Sequence, residues 1–213
     1  MNRARAIDEP PEVRWLGRRD YLATLEAMRA FTRERGDHGP DEIWLCEHPS
    51  IFTLGQGASP EHVIDPGPIP VVRSDRGGQV TYHGPGQAVV YVLLDLARRR
   101  LGVRRLVDLL EESVIRLLAA GGVASGRRAG APGVYVAGRK IAALGLRVSH
   151  GRTYHGLALN VEMDLAPYRG INPCGYPALE VTRLVDLGIR LSTREAAERL
   201  ADTLVGLLGE SGR

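Results

Sequence analysis

Strand-like runs are bunched in this chain, with helical patterns before and after them but no regular alternation between the two, and that order restricts the fold more than any other feature. The runs cover residues 43–46, 51–54, 71–73, 88–94, 134–137, 140–148 and 154–162, each bounded by Gly, Pro, Asp, Ser or His turn material. Gly138 and Arg139 separate one pair tightly enough for a hairpin, and residues 149–152 separate the next. A chain of βαβ units would place a helix after each strand. This one predicts an α+β fold with a mixed, largely antiparallel sheet flanked by helices.

Three segments carry helical spacing. Leu22, Leu25, Met28 and Phe31 form an apolar stripe that stops near Gly36, and Leu106, Leu109, Leu110, Val114, Leu117 and Leu118 form a second that Gly121 and Gly122 end. Ser192 followed by Glu195 reads as a capping box opening a third helix with Leu200, Leu204 and Leu207. At 213 residues, with no repeat, linker or low-complexity segment, the chain is expected to form a single domain over residues 1–213.

Charge and cysteine content narrow the classes of function. A net charge of +3 without a dense basic cluster argues against nucleic acid and suits an acidic protein partner. Cys46 and Cys174 stand far apart with no CxxC pair, so neither a disulfide framework nor a zinc site is expected. The first 15 residues lack an apolar targeting core, and no run approaches the roughly 18 apolar residues of a membrane span. A cytoplasmic protein without a membrane partner is the expectation.

Four stretches are candidates for chemistry. Lys140 is the only lysine among 28 basic residues, which sets it apart: arginine keeps its proton, whereas a lysine can exchange one. Survival on a solvated face is the plain alternative. In INPCGYP, Pro173 and Gly175 put Cys174 in a turn, where a thiol is free to react if a cation stabilises its thiolate below the ordinary value of about 8.5. Cys174 and Lys140 are therefore a workable nucleophile and proton-carrier pair, although 34 positions separate them and nothing in the sequence shows them adjacent. Cys46, inside an apolar run, reads as core.

RSDRGGQVTYHGPGQ, residues 73–87, reads as a glycine-rich loop between strands that lets backbone approach a ligand, and its alternative is a long hairpin. It is not a phosphate-binding GxxxxGK[ST] loop. His155 and Gly156 interrupt a strand in RTYHGLALNVEMD; a ligand approaches there, or His155 is a satisfied structural histidine.

RGGQVTYHGPGQ, GRKIAALGLR, HGLALNV and INPCG, in that order, closely resemble the lipoyl(octanoyl) transferases of lipoate biosynthesis. The resemblance runs from about Glu47 to Thr182. It implies a fold like that of lipoate and biotin protein ligases, related to class II aminoacyl-tRNA synthetase cores. It implies transfer of an octanoyl group from octanoyl-acyl carrier protein to a lysine of lipoyl domains, as in 2-oxoacid dehydrogenases and the glycine cleavage H protein. By the same resemblance Cys174 carries the acyl thioester and Lys140 tunes it. Substrate contacts then fall on Arg76, Gly77, Gly78, Gln79, Val80, Thr81, Tyr82 and His83, on Ala143, Leu144 and Gly145, and on Gly156, Leu157 and Ala158.

The donor thioester is already activated, so no cofactor, ATP or metal is expected, and a monomer is expected to suffice. Leu144, Leu146, Leu157 and Leu159 are expected to line the acyl slot, and His83 to orient its loop. Rival readings are an ATP-dependent ligase on the same fold, a Cys-His hydrolase using His83 or His155, and a non-catalytic acyl- or carrier-binding module.

Overall fold

Nine strands and three α-helices make up the described residues of the computed structural model, which are 9–36, 39–177 and 179–211. In chain order they are β1 (Glu12–Arg18), α1 (Tyr21–Glu34), β2 (Glu42–Glu47), β3 (Ile51–Leu54), β4 (Val71–Arg73), β5 (Val80–His83), β6 (Gln87–Leu93), α2 (Val103–Ala120), β7 (Gly133–Val136), β8 (Arg139–Ser149), β9 (Arg152–Asn160) and α3 (Thr193–Ser211). Six strands form one sheet in the order β1-β2-β6-β9-β8-β7, antiparallel except for the β1-β2 pair. The other three form a smaller sheet, β4-β3-β5, with β3 parallel to β4 and antiparallel to β5. The mixed, largely antiparallel α+β expectation therefore holds, with a second sheet that sequence reading did not separate from the first.

Local chemistry explains the element ends. The Asp20 carboxylate caps α1 by accepting from the Ala23 N–H at 2.9 Å. Ser192 Oγ accepts from the Glu195 N–H at 3.2 Å while Glu195 Oε2 accepts from the Ser192 N–H at 2.8 Å, completing the predicted capping box. The β7-β8 turn is Ala137-Gly138, one position earlier than expected, and the β8-β9 turn is His150-Gly151. In both turns the two residues have positive φ, the mirror-image turn geometry that suits strand twist.

Alternation along the strands feeds two different cores. Val90, Val92, Leu157 and Leu159 face α2 and α3, where they pack with Leu106, Leu110, Leu200 and Leu204. Val89, Tyr91 and Ala158 point the opposite way, toward Tyr21, Leu25 and Met28 of α1. A third cluster of Phe52, Val80, Tyr82, Met163, Tyr168 and Ile171 seats the smaller sheet. Leu22, expected on the buried stripe of α1, is exposed; Tyr21 takes the inward position.

Two strands went unread. β1 lies at a parallel edge, and β5 lies inside the stretch read as a glycine-rich loop. Residues 73–87 are thus not one loop: every residue of β5 is buried, including His83. Among the described residues, no helix is long and apolar enough to cross a membrane.

Candidate functional site

Lys140 reaches the site because β8 is irregular at its start. Tyr135 pairs with Lys140 and Val134 with Ala142, so Ile141 is an extra residue, a bulge. Ile141 turns into the helix-side core while Lys140, only 3% exposed, lines a cavity on the other side. Room for its side chain comes from Gly133, whose φ is 139°. A Cβ at that position would lie 2.6 Å from Lys140 Cε and 2.6 Å from the Ala142 carbonyl oxygen.

Cys174 arrives from the far side of the chain. Its turn, Pro173–Gly175, holds Cys174 at φ 56° and Gly175 at φ 76°. The left-handed conformation costs a non-glycine residue about 1–2 kcal/mol, and backbone bonds compensate: the Asn172 N–H donates to the His62 carbonyl at 2.8 Å and the Gly175 N–H to the Asn172 carbonyl at 2.9 Å. Just downstream, the segment 180–182 clamps β8, with the Lys140 N–H donating to the Glu180 carbonyl and the Thr182 N–H to the Lys140 carbonyl, both at 2.9 Å. Two segments 34 positions apart are thereby brought together, and Lys140 Nζ donates to Cys174 Sγ at 2.9 Å. Nζ also donates to the Pro132 carbonyl at 2.9 Å and lies 5.2 Å from the Tyr135 ring centroid, over its face.

The cavity around this pair has a volume of about 490 Å³. One end is its mouth, where Val103 and Tyr176 are 42% and 39% exposed. The other end is enclosed by Tyr21, His83, Val89, Tyr91 and His155, all buried. Of the predicted contacts, Arg76, Gly77, Gly78, Gln79, Val80, Thr81, His83, Ala143, Leu144, Gly145, Gly156, Leu157 and Ala158 line it. Tyr82 does not: strand alternation in β5 turns it to Phe52 and Tyr168. Of the four leucines expected along an acyl slot, Leu144, Leu146 and Leu157 line the cavity, whereas Leu159 is sealed in the helix-side core. Tyr21, Tyr91, Tyr135, Gly133 and Pro132 are site residues that sequence reading missed.

Arg76 is buried, and among the described residues no carboxylate pairs with it. Its guanidinium donates to Thr53 Oγ1, to the Thr53 carbonyl at 2.6 Å, to the Gln79 carbonyl at 2.8 Å and to the Gly77 carbonyl at 3.0 Å. Burial pushes its pKa down. The effect is to tie residues 77–79, the cavity wall, to β3.

The histidines differ. Desolvation in the closed end drives His83 down to about 3, so it is neutral, and it donates from Nδ1 to Gln87 Oε1 at 2.8 Å. His155, with φ 62°, donates from Nε2 to Asp75 Oδ1 at 2.8 Å; burial lowers its pKa against that carboxylate's pull. Asp75 lies well below the usual carboxylate range: hydrogen bonds from His155, Tyr154 and Arg29 outweigh its own partial burial. His155 is thus a structural histidine anchored through Nε2 and also a cavity residue. Cys46 is fully buried and its thiol is pushed far up by desolvation, in keeping with a core role.

Residues 20–205 match the family model for the lipoyl protein ligase A/B catalytic domain. An octanoyltransferase of Alkalilimnicola ehrlichii is 63% identical over 178 residues, covering 84% of this chain and 83% of that protein. Among solved structures, lipoate-protein ligase A bound with ATP superposes with a TM-score of 0.73 at 16% identity, covering 95% of this chain and 93% of that one. The biotin protein ligase of Aquifex aeolicus does so with a TM-score of 0.59 at 12% identity, covering 96% of this chain and 71% of that one.

Proposed function

The chain belongs to the lipoyl protein ligase A/B catalytic family and, within it, to the octanoyltransferases, and from that premise we propose that octanoyl transfer runs through a thioester on Cys174. The observation that carries the reading is the 2.9 Å contact between Lys140 Nζ and Cys174 Sγ inside the cavity. The donor is octanoyl-acyl carrier protein and the acceptor is a lysine on a lipoyl domain. The carrier arm enters through the mouth at Val103 and Tyr176, and the aliphatic chain lies along Leu144, Leu157 and Ala158 toward the closed end.

In the first half-reaction Cys174 Sγ attacks the thioester carbonyl. A carbon–sulfur bond to Cys174 forms, the bond to the carrier sulfur breaks, and Lys140 passes its proton to the departing thiolate. The N–H groups of Gly78 and Gln79, on the cavity wall, are the donors assigned to the oxyanion. In the second half-reaction the neutral acceptor amine attacks the acyl carbon, the bond to Cys174 breaks, and Lys140 takes the proton lost by the new amide nitrogen. The sulfur again faces an ammonium. Arginine cannot complete this cycle because it does not release a proton.

The thioester is an already activated acyl donor that supplies the driving free energy for transfer, so the cycle calls for neither nucleotide nor metal. An ATP-dependent ligase makes an acyl-adenylate and has no use for a thiol seated on a lysine. Two free thiols fit a reducing cytoplasm. Intact mass after mixing with octanoyl-acyl carrier protein tests the scheme. Wild type gains one octanoyl group that hydroxylamine removes, Cys174→Ala gains none, and Lys140→Arg loses about 10²-fold or more in turnover. Acyl-adenylate formation from ATP and free octanoate would overturn it.

A further inference from the structure

The closed end of the cavity is polar in a particular way for a wall that meets an aliphatic chain. Asn160 Nδ2 donates to the Thr182 carbonyl at 2.9 Å, so Asn160 Oδ1 is the atom that accepts from Gln87 Nε2 at 3.0 Å. Gln87 Nε2 also donates to the Tyr82 carbonyl at 3.2 Å. Gln87 Oε1 must then accept from His83, which puts the His83 proton on Nδ1 and a lone pair on Nε2. The Asp75 carboxylate fixes the proton of His155 on Nε2, leaving a lone pair on Nδ1. His48 Nδ1 donates to the Arg19 carbonyl at 2.7 Å, so its Nε2 accepts from the Tyr91 hydroxyl at 2.7 Å, and the Tyr91 oxygen is left as an acceptor only. Neither His83 Nε2 nor His155 Nδ1 has a partner among the described residues, and burial keeps both rings neutral.

Three acceptors therefore bound one end of the cavity, and no donor faces them from these side chains. We infer that this end is a chain-length stop: it holds water, the small donor that satisfies His83, His155 and Tyr91, and a longer acyl chain must drive that water out. The inference rests on the acyl-Cys174 reading above. A fully extended octanoyl group spans about 9 Å with carbon–carbon bonds of about 1.5 Å. β9 advances about 13 Å from Leu159, which pairs with Ala142 beside the Lys140 bulge, to His155. The difference is roughly one layer of water. Displacing that layer with methylenes strands buried acceptors without donors, which discriminates more strongly than a closed apolar end does against one extra methylene.

The test compares kcat/KM for octanoyl- and decanoyl-acyl carrier protein with a lipoyl domain as acceptor. His83→Leu removes one acceptor and is expected to raise the decanoyl-to-octanoyl ratio about tenfold, while His83→Gln, which keeps a polar end, stays near the parent ratio. A merely structural role for His83 lowers both rates together and leaves the ratio unchanged, and that result overturns the inference. If leucine at position 83 prevents folding, the ratio is read in Tyr91→Phe, where a rise supports the stop and no change overturns it. Hydroxylamine-labile octanoylation of the wild type is measured alongside: its absence sinks the thioester reading, and its presence with an unchanged ratio sinks only the stop.

Discussion

The two faces of the large sheet are built from the same strands and could hardly differ more. On one, Val90, Val92 and Leu159 meet the leucines of α2 and α3 in a dry core. On the other, their neighbours Val89, Tyr91, Gly156 and Ala158 border a cavity floored by histidines, tyrosines and a buried arginine. A change of side every residue lets one strand stabilise with half its side chains and do chemistry with the rest. The arrangement predicts that stability and activity separate largely by parity, with Leu157 touching both the core and the cavity, and three substitutions or titrations probe that division.

The largest expected effect is on the helix face. Leu110, fully buried between α2 and the sheet, should cost about 2–5 kcal/mol when cut to alanine, read as a drop in the denaturant midpoint. The acyl-Cys174 yield of the folded fraction should hold steady; a yield that collapses in folded protein would show that the faces are coupled.

Next comes Gly133→Ala on the cavity side. The added methyl collides with Lys140 Cε and shifts Nζ away from Cys174 Sγ, and a displacement near 1 Å costs about 10²-fold in turnover. The same methyl meets the Ala142 carbonyl oxygen, and alanine is strained at φ 139°, so the unfolding midpoint drops as well and turnover is read per folded molecule. Parent-like turnover would remove the packing role assigned to that glycine.

The third test is titration. His83 has its pKa depressed by burial, from about 6.5 unfolded to about 3 folded. Between those values the unfolded chain binds the extra proton, so stability falls as pH drops through that window, by at most about 1.4 kcal/mol per unit for this residue. His48 and His155 are lowered too and add in the same direction. Melting temperatures from pH 7 to 4 check this, and His83→Gln should flatten the slope; an identical slope in that variant would move the effect to other groups.

Much of the scaffold was legible because it is local. Glycine and proline punctuation bracketed seven of the strands, and the Ser192 and Glu195 pair announced α3 three residues apart. β5 escaped because it is only four residues long, ends in a histidine and lies between glycines, and β1 because an edge strand makes its pattern with a partner some 30 positions away. The lysine and cysteine were readable as residue types set apart by rarity and by turn context. Their contact was not, because it depends on the Ile141 bulge, the space left by Gly133 and the clamp of 180–182 on β8, none of which has a sequence signature. Tyr82 was assigned to the site through its neighbours; only the strand's alternation reveals that it faces away.

The guanidinium of Arg76, walled in by carbonyls and one hydroxyl, carries a lesson for redesign. Each acceptor around it sits where it does because that cation is there, so the wall of the cavity cannot be retuned one residue at a time. Anyone moving this pocket to a new scaffold would have to transplant β3, the turn after it and residues 76–79 as one indivisible block.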